Sequence, residues 1–595
     1  MAAVRGRGAR FALVVSLASG VASAEPIPNT RPPTSTSYEY SAYEREAIDA
    51  AVGHRADGVD LAPEGKIIEG IDIDRLEVIE PRDPAPPQLN ALHATTRKHV
   101  VERELLLHVG DRYQGVLADE TARILRTLPQ LSLVAVFAMR GSAPDRVRLV
   151  VLTKDVWSLR LSWDVVYTNG GMQRLLLQPT ETNLLGTHQT VAVRYEYAPS
   201  TNTFGAQYAI PRLADSHVQL TTAANIITNR ESGRPEGTSG SVALGLPLWN
   251  TREDWAWSTS FAWQNAITRR YVNAQVGLFV PKDAPQSPGV PYQYRSREYG
   301  ADASVTRSFG WAEKNDLTFG AQAISRRYDA GDLSAYDPVA ASEFVSTKVP
   351  TDDTRIGPYA EVRSYTTSYL RVLDVETLGL QEDFRLGYDL KARAYPVLAP
   401  LGSTRTFLGL DVGAQYTVPL GDGFARANVR SITESEVDRL ADASISTQAR
   451  VVTPRLGFGR VVWSASVVNR YKNFLNRTSF LGGDGALRGY PTSYLVGADV
   501  ASSNLEFRTR AFSVKTVMIG GAVFYDVGGA FDDFSRARIY ESLGGGVRVL
   551  FPQLDRLVFR VDLGVPIAHG ALPSGVSPVQ YFFSFGQAFP VPSIN

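Results

Sequence analysis

The sequence predicts a mainly β protein: a closed antiparallel transmembrane β-barrel of about 16 strands, preceded by one small α+β domain of order β-α-α-β-β. Three observations lead there. Runs of alternating apolar and polar residues, roughly eight to fourteen long, recur from about Ser158 to the end of the 595-residue chain. No segment after the first 24 residues supplies the run of about 20 apolar residues that a spanning helix needs. Those first 24 residues themselves read as an export signal.

Taken in order, Arg5, Arg7 and Arg10 make a positive start, Phe11 to Val21 an apolar core too short to span a bilayer, and Ala22-Ser23-Ala24 a small-residue cleavage site. Residues 25–65 read as a linker, opening on the Pro-, Thr- and Ser-rich stretch EPIPNTRPPTSTS. Within it, Tyr38 to His54 has the length of one short helix, and two readings stay open: a plug inside a pore, or a frayed surface helix.

Residues 66–157 form the small domain. Lys66 to Ile79 is extended and is followed by the break PRDPAPP. Val101 and Leu105 suggest a first helix ending near Gly110. Leu117, Thr121, Ile124, Leu125 and Leu128 recur at helical spacing and give a second, ended by Pro129. Leu133 to Met139 and Val147 to Leu152 read as strands joined by the turn-rich RGSAPD.

Residues 158–595 form the barrel, with no helix-period segment of convincing length. The last five runs (504–511, 517–528, 542–551, 556–565 and 579–589) alternate most clearly, with their large apolar side chains at odd positions. An early run, 189–197, behaves the same way. A soluble sandwich would also alternate. Arg, Asp and Glu on the polar face, aromatics near strand ends and the length of the pattern favour a membrane barrel with a water-filled lumen. The strand count is least clear over 355–453.

Chemistry is sparse. The 61 basic and 61 acidic residues balance, so no charge excess points to nucleic acid. There is no cysteine, hence no disulfide or thiol catalysis. The seven histidines include no HExxH or close ligand pair, and no G-x-S-x-G elbow occurs. The reading is of a non-enzyme without metal, nucleotide or other cofactor.

One loop stands out: Phe480-Leu481-Gly482-Gly483-Asp484-Gly485-Ala486-Leu487-Arg488-Gly489-Tyr490. No helix follows it, so it is not a phosphate-binding loop. Alternation places Glu506 and Asp526 on the lumenal face, and a guanidinium can hold carboxylates through its fork. As the resemblance of these segments to a known family brings the loop to that face, Arg488 is expected to pair mainly with Asp526 inside the barrel. Gly489 is expected to let the backbone turn sharply beside it. The alternative is a solvated loop charge.

Together these segments resemble the BamA-like outer-membrane assembly family, whose barrels follow POTRA domains. The tetrapeptide Leu487-Arg488-Gly489-Tyr490 is similar to that family's V/I-R-G-Y/F loop, and Phe524-Tyr525-Asp526-Val527-Gly528 to its F-x-D-x-G strand. The end at Phe583-Ser584-Phe585-Gly586-Gln587-Ala588-Phe589 and the turn Asn183-Leu184-Leu185-Gly186 also look like the family's, and residues 66–157 like one POTRA domain.

The resemblance implies an outer-membrane protein with its POTRA-like domain in the periplasm. It implies assembly, insertion or translocation of unfolded outer-membrane or secreted clients through a seam between first and last strands. A dedicated two-partner secretion transporter and a passive pore or structural barrel are the alternatives. The expected first strand is Met172 to Gln178, stopped by Pro179; Gly586 and Phe589 are expected to weaken and end the last. Implied partners are the lipid bilayer, client chains and periplasmic accessory proteins.

Overall fold

The computed structural model describes residues 40–588 except 56–57, 169, 282–285 and 569, and also 593–594. The export signal, the stretch 25–37 and Phe589 lie outside the described residues.

The helix Ala42–Gly53 starts at a capping box, in which Ser41 Oγ accepts from the Glu44 N–H while the Glu44 carboxylate accepts from the Ser41 N–H. Its apolar stripe Tyr43, Ala47 and Ala51 is buried, so this is no frayed surface helix. A domain of one three-stranded sheet follows. Ile67–Leu76 pairs in parallel with Arg146–Asp155, which pairs antiparallel with Leu131–Arg140. The helix Gly115–Thr127 lays Leu117, Ala118, Ala122 and Leu125 on that sheet against Val134, Leu149 and Val151. The shorter helix Lys98–Glu102 adds Val101 to the same core.

From Leu159–Thr168 to Gln580–Phe585 the chain runs up and down through a closed antiparallel barrel of 20 strands. The expected number of about 16 is too small. Alternation is blurred in parts of 353–452, where lumenal side chains such as Phe424 and Val452 pack against other protein instead of water, although Phe407–Leu420 alternates throughout. The early strand Gln189–Tyr197 has the predicted bounds. An even strand number brings both ends of the barrel to the mouth that faces the small domain. Connections 270–292, 330–352 and 474–498 fall at the far mouth, and the connection 367–386 at the domain-side mouth.

Two further corrections concern local elements. A helix, Pro338–Lys348, sits in a far-mouth connection; Asp337 caps it by accepting from the Ala340 N–H, and Pro338 occupies the first turn. The Asp-Pro pair was the available signal. The first barrel strand is Leu159–Thr168, not Met172 to Gln178, and Pro179 lies inside the second strand Gly171–Leu184, opposite Leu161. The ladder on the other side of that strand skips residues 178 and 179, where Pro179 has no N–H to give.

In the last five barrel strands, odd positions face out. Leu505, Val523, Leu543, Val547, Leu563, Val565 and Tyr581 are exposed, whereas Glu506, Arg508, Asp526, Arg548, Arg560 and Asp562 are buried. A barrel surface of this kind needs lipid, since it leaves large apolar side chains uncovered on every strand.

Candidate functional site

The far-mouth connection 474–498 folds into the barrel. Its neck is the paired strands Ser479–Leu481 and Leu495–Gly497. Beyond the neck, Gly482 and Gly483 take φ of +120° and +90°, which L side chains rarely adopt. The tip closes where the Gly483 N–H donates to the Tyr490 carbonyl at 3.0 Å. Leu487 and Tyr490 anchor it by packing with Leu481, Leu495 and Val576, and the Tyr490 ring meets Tyr540 edge-on at 5.4 Å.

The backbone does turn at Arg488 and Gly489, closed by the Tyr490 N–H donating to the Leu487 carbonyl at 3.2 Å, but what requires glycine there is close approach. The Gly489 φ is not positive, and a Cβ there would lie 2.4 Å from the Ser542 Cβ. Gly564 does the same from the wall, since a Cβ on it would sit 2.0 Å from the Arg488 carbonyl oxygen. Gly528 makes room for Leu481, whose Cδ2 would be 2.8 Å from an added Cβ. Loop and wall therefore touch backbone to backbone.

That contact sets Arg488 within the wall, wholly buried. Its Nε and Nη2 donate to the two Asp526 oxygens at 2.8 and 2.7 Å, and its backbone N–H to Asp526 at 3.1 Å. Nη1 donates to Glu506 at 2.5 Å and to Asp562 at 3.4 Å. The guanidinium carbon lies 3.3 Å from the centre of the Phe524 ring. Arg508 holds the other Glu506 oxygen at 2.6 Å, while Arg548 and Arg560 hold Asp562 at 2.5 and 2.6 Å; Asp484 of the loop takes Arg560 at 2.8 Å. Arg488, Arg508, Arg548 and Arg560 thus face Glu506, Asp526, Asp562 and Asp484, a balanced set in which each charge has a partner. Asp562 and Phe524 were missed as site residues. Asp562 shares the lumenal parity of Arg560; Phe524 is an apolar residue on that parity, and its misfit with the alternation was the signal.

The same strands border the barrel's closure. The last strand, Gln580–Phe585, meets the first at one registered pair, Phe583 opposite Val165. Aromatic packing supplements it: Trp163 stands edge-on to Phe585 at 5.7 Å and lies 5.4 Å from Phe559. Arg160 and Asp555 pair at 2.5 Å nearby. Gly586, at φ +82°, then turns the chain inward, where Arg548 donates to the Gln587 side chain and Arg508 to the Ala588 carbonyl. Pro179 is one strand away from this seam.

Residues 183–589 match the Omp85 superfamily domain. The chain belongs to the Omp85 superfamily. It is accordingly an outer-membrane β-barrel, and the loop carrying Arg488 lies within the matched Omp85 region. Among solved structures the chain is similar to BamA from Haemophilus ducreyi lacking POTRA domains 1–3, at 13% identity and TM-score 0.37, over 91% of this chain and 92% of that one. It is also similar to CdiB from Escherichia coli (13%, 0.40, 88% and 77%) and CdiB from Acinetobacter baumannii (10%, 0.37, 88% and 74%). No curated protein matches the chain.

A second cluster joins this Omp85 barrel to the small domain through the Asn183-Leu184-Leu185-Gly186 turn. Asn183 donates to the Ala94 carbonyl, to Thr96 Oγ1 and to Asp155, which ends the domain's strand Arg146–Asp155. Asp155 also accepts from the Thr96 N–H and hydroxyl at 2.7 and 2.9 Å, and Thr96 Oγ1 shares a hydrogen bond with His188 Nε2 at 2.9 Å. Gly186, at φ +74°, would drive a Cβ to 2.5 Å from the Thr95 carbonyl. Burial holds the His188 imidazole down at about 4.

Proposed function

We propose that this protein inserts or translocates other polypeptides, passing them through or along a barrel whose first and last strands part. The small domain then acts as a POTRA-type domain in the periplasm, presenting sheet edges to unfolded outer-membrane or secreted clients and to accessory proteins. The supporting observation is the closure itself. One registered pair joins Gln580–Phe585 to Leu159–Thr168, whereas its neighbour pairs six residues of Gln580–Phe585 with Phe559–Ile567. Each ladder hydrogen bond contributes about 0.5–1.5 kcal/mol, so a seam this short is the cheapest place to open the wall. Its freed edge groups are what an incoming strand would pair with. The reading assigns no catalytic role, cofactor or nucleic-acid partner.

The test uses the chain's lack of native thiols. Val165→Cys with Phe583→Cys should cross-link on oxidation, leave the barrel folded and abolish client handling until reduced. Full activity with a quantitatively closed seam would overturn lateral opening. Depletion followed by an outer-membrane proteome separates the pathways. Broad loss of barrels means assembly, loss of one exported protein means dedicated two-partner secretion, and no loss leaves a pore.

A further inference from the structure

Among the domain-side connections, 367–386 is no simple turn. It lies between barrel strands Asp353–Thr366 and Gly387–Val397 and forms a hairpin, with Tyr369–Val372 pairing with Glu382–Arg385. The tip 373–381 is shaped from within. The Glu382 carboxylate accepts from the N–H groups of Val375, Glu376 and Thr377 at 3.0, 2.8 and 3.1 Å, and Asp374 accepts from the Gly379 N–H at 2.7 Å. A segment that satisfies its own backbone in this way can move as one piece.

One face of the hairpin rests on the lumenal wall. Val372 and Val375 pack with Phe424, Val452 and Val462. Arg460 donates to the Leu373 carbonyl and Arg508 to the Val375 carbonyl, each at 2.9 Å, and Arg450 donates to Glu376 at 2.9 Å. The opposite face rests on the small domain and the first helix. Arg126 of helix Gly115–Thr127 donates to Asp383 at 2.8 Å, and Arg371 reaches the same carboxylate at 3.2 Å and Asp119 at 3.8 Å. Leu378 and Leu380 pack with Tyr43, Ala47 and Ala51 of Ala42–Gly53 and with Leu133 and Leu152 of the domain sheet. The Gln381 N–H donates to Glu44 at 3.2 Å.

We propose that 367–386 is a retractable plug of the domain-side mouth, and that the small domain with helix Ala42–Gly53 is its latch. The helix is then neither a plug in the lumen nor a free surface helix: it wedges the plug in place. The hinge is at hand, because Gly387 sits at φ +78° with an added Cβ only 2.5 Å from Thr366 Oγ1. The wall beside the hinge is fixed, since Ser364 and Tyr365 pair with Leu390 and Asp389, so motion is confined to 367–386; the ladder thins only toward the far mouth. Asp353–Thr366 matches Gly387–Val397 over Ala360 to Tyr365 alone, while its other edge is matched along its whole length. Movement of the small domain would pull Asp383, Leu378 and Leu380 with it and draw the tip off Phe424 and Val452. The barrel at rest is closed twice, by 474–498 from the far mouth and by 367–386 from the other.

The inference goes beyond seam opening and needs no client, so planar-bilayer conductance of the full chain tests it independently of the function proposed above. The wild type should be mostly closed. Asp383→Asn and, separately, Arg126→Ala should each raise open probability at least tenfold, and replacing 369–385 by a Gly-Ser linker should hold the pore open. Cysteines at Val375 and Val462, bridged by a short bifunctional thiol reagent in the Asp383→Asn background, should close it again. Wild-type conductance in the folded linker variant would overturn the plug. If that variant does not fold, a bridged Asp383→Asn protein that still conducts like its unbridged form would overturn it instead.

Discussion

The long wall of Trp255–Arg269 and Gln293–Phe309, the seventh and eighth strands, and the wall beside the seam are built differently. Trp255–Arg269 pairs along its whole length with Gln293–Phe309 and lines the lumen with small neutral groups such as Ser258, Ser260, Ala262 and Ser304. Beside the seam, Gln580–Phe585 has six residues and one pair across the closure, yet Glu506, Arg508, Asp526, Arg548, Arg560 and Asp562 form a buried charge network on the neighbouring strands. Backbone ladders stabilise a wall without regard to side chains, so the long side needs no buried charge network, and its lumenal Glu298 and Asp302 stay half-buried. The short side relies on side chains, with Arg488 tying Asp499–Thr509, Val517–Phe531 and Phe559–Ile567 together from the loop. The ladder is continuous among these strands and stops at a single pair across the closure, so side chains matter most where the ladder ends. The seam half is the half that can reorganise.

The sharpest way to break this comparison is to remove the clamp. Arg488→Ala should cost about 3–5 kcal/mol, because Asp526 and Glu506 are left buried without their main partner. Asp526→Ala should cost a similar amount, and the double variant little more than either, as for coupled groups. Arg488→Lys should recover part of the loss, since an ammonium cannot fork across Asp526 and Glu506. Gln264→Ala on the long wall should stay within about 0.5 kcal/mol, as substitutions away from buried networks do. Urea titrations in liposomes read all five; equal losses on the two walls would end the distinction.

How much of this the sequence discloses depends on what each side chain faces. Where odd positions met lipid and even ones met the charge network, as in the last five strands, alternation gave the facing and brought Arg488, Glu506 and Asp526 to one site. Where the lumen is filled by protein, the pattern blurs. Phe424, Val452 and Val462 are apolar on the lumenal face because the 367–386 hairpin packs on them, so parts of 353–452 read as ambiguous and strands are lost from the count. Pro179 misled for another reason. A missing N–H marks an interrupted ladder, and the interruption falls between the second and third strands, not at the barrel's edge. Gly489 was recognised as special, but its close contact with Ser542 depends on a strand more than fifty residues away, which no local pattern contains.

The outer faces should not share the asymmetry of the inner ones, which sharpens the comparison. Val561→Arg beside the seam and Phe261→Arg on the long wall both place a charge in lipid, at roughly 2–4 kcal/mol near the midplane. Similar losses of folded yield in bilayers are expected. A much larger loss beside the seam would mean that the seam half is weak as a whole and not specifically reorganised by its lumenal clamp.

The smallest expected effect is at the joint between the small domain and the barrel's first hairpin, and it depends on pH. His188 is held at about 4 by burial, against an ordinary value near 6.5. A histidine with a depressed folded value contributes stability that is complete above the ordinary value and is lost as pH falls from about 6.5 towards 4. Protonation would place a second proton on a buried ring hydrogen-bonded to Thr96 Oγ1, with Arg103 and Arg212 opposing the charge and Asp155 favouring it. Between pH 7 and pH 4.5 the loss should reach about 2.5 kcal/mol. On the other side of the domain, Glu120 accepts from the Thr251 N–H and hydroxyl, both at 2.7 Å, and no histidine takes part in that contact. His217, which burial also holds below its ordinary value, stacks on Trp249 two residues from Thr251, so it is in a His217→Asn background that acidification should loosen the domain on the hairpin side alone. In that background, spin labels at Thr95 and Leu185 should show a distance distribution that broadens between pH 7 and pH 4.5, and a pair at Val116 and Asn250 one that does not. His188→Asn should remove the broadening; a response shared by both label pairs would instead mean that the domain loosens as a whole and that His188 is not the group responsible.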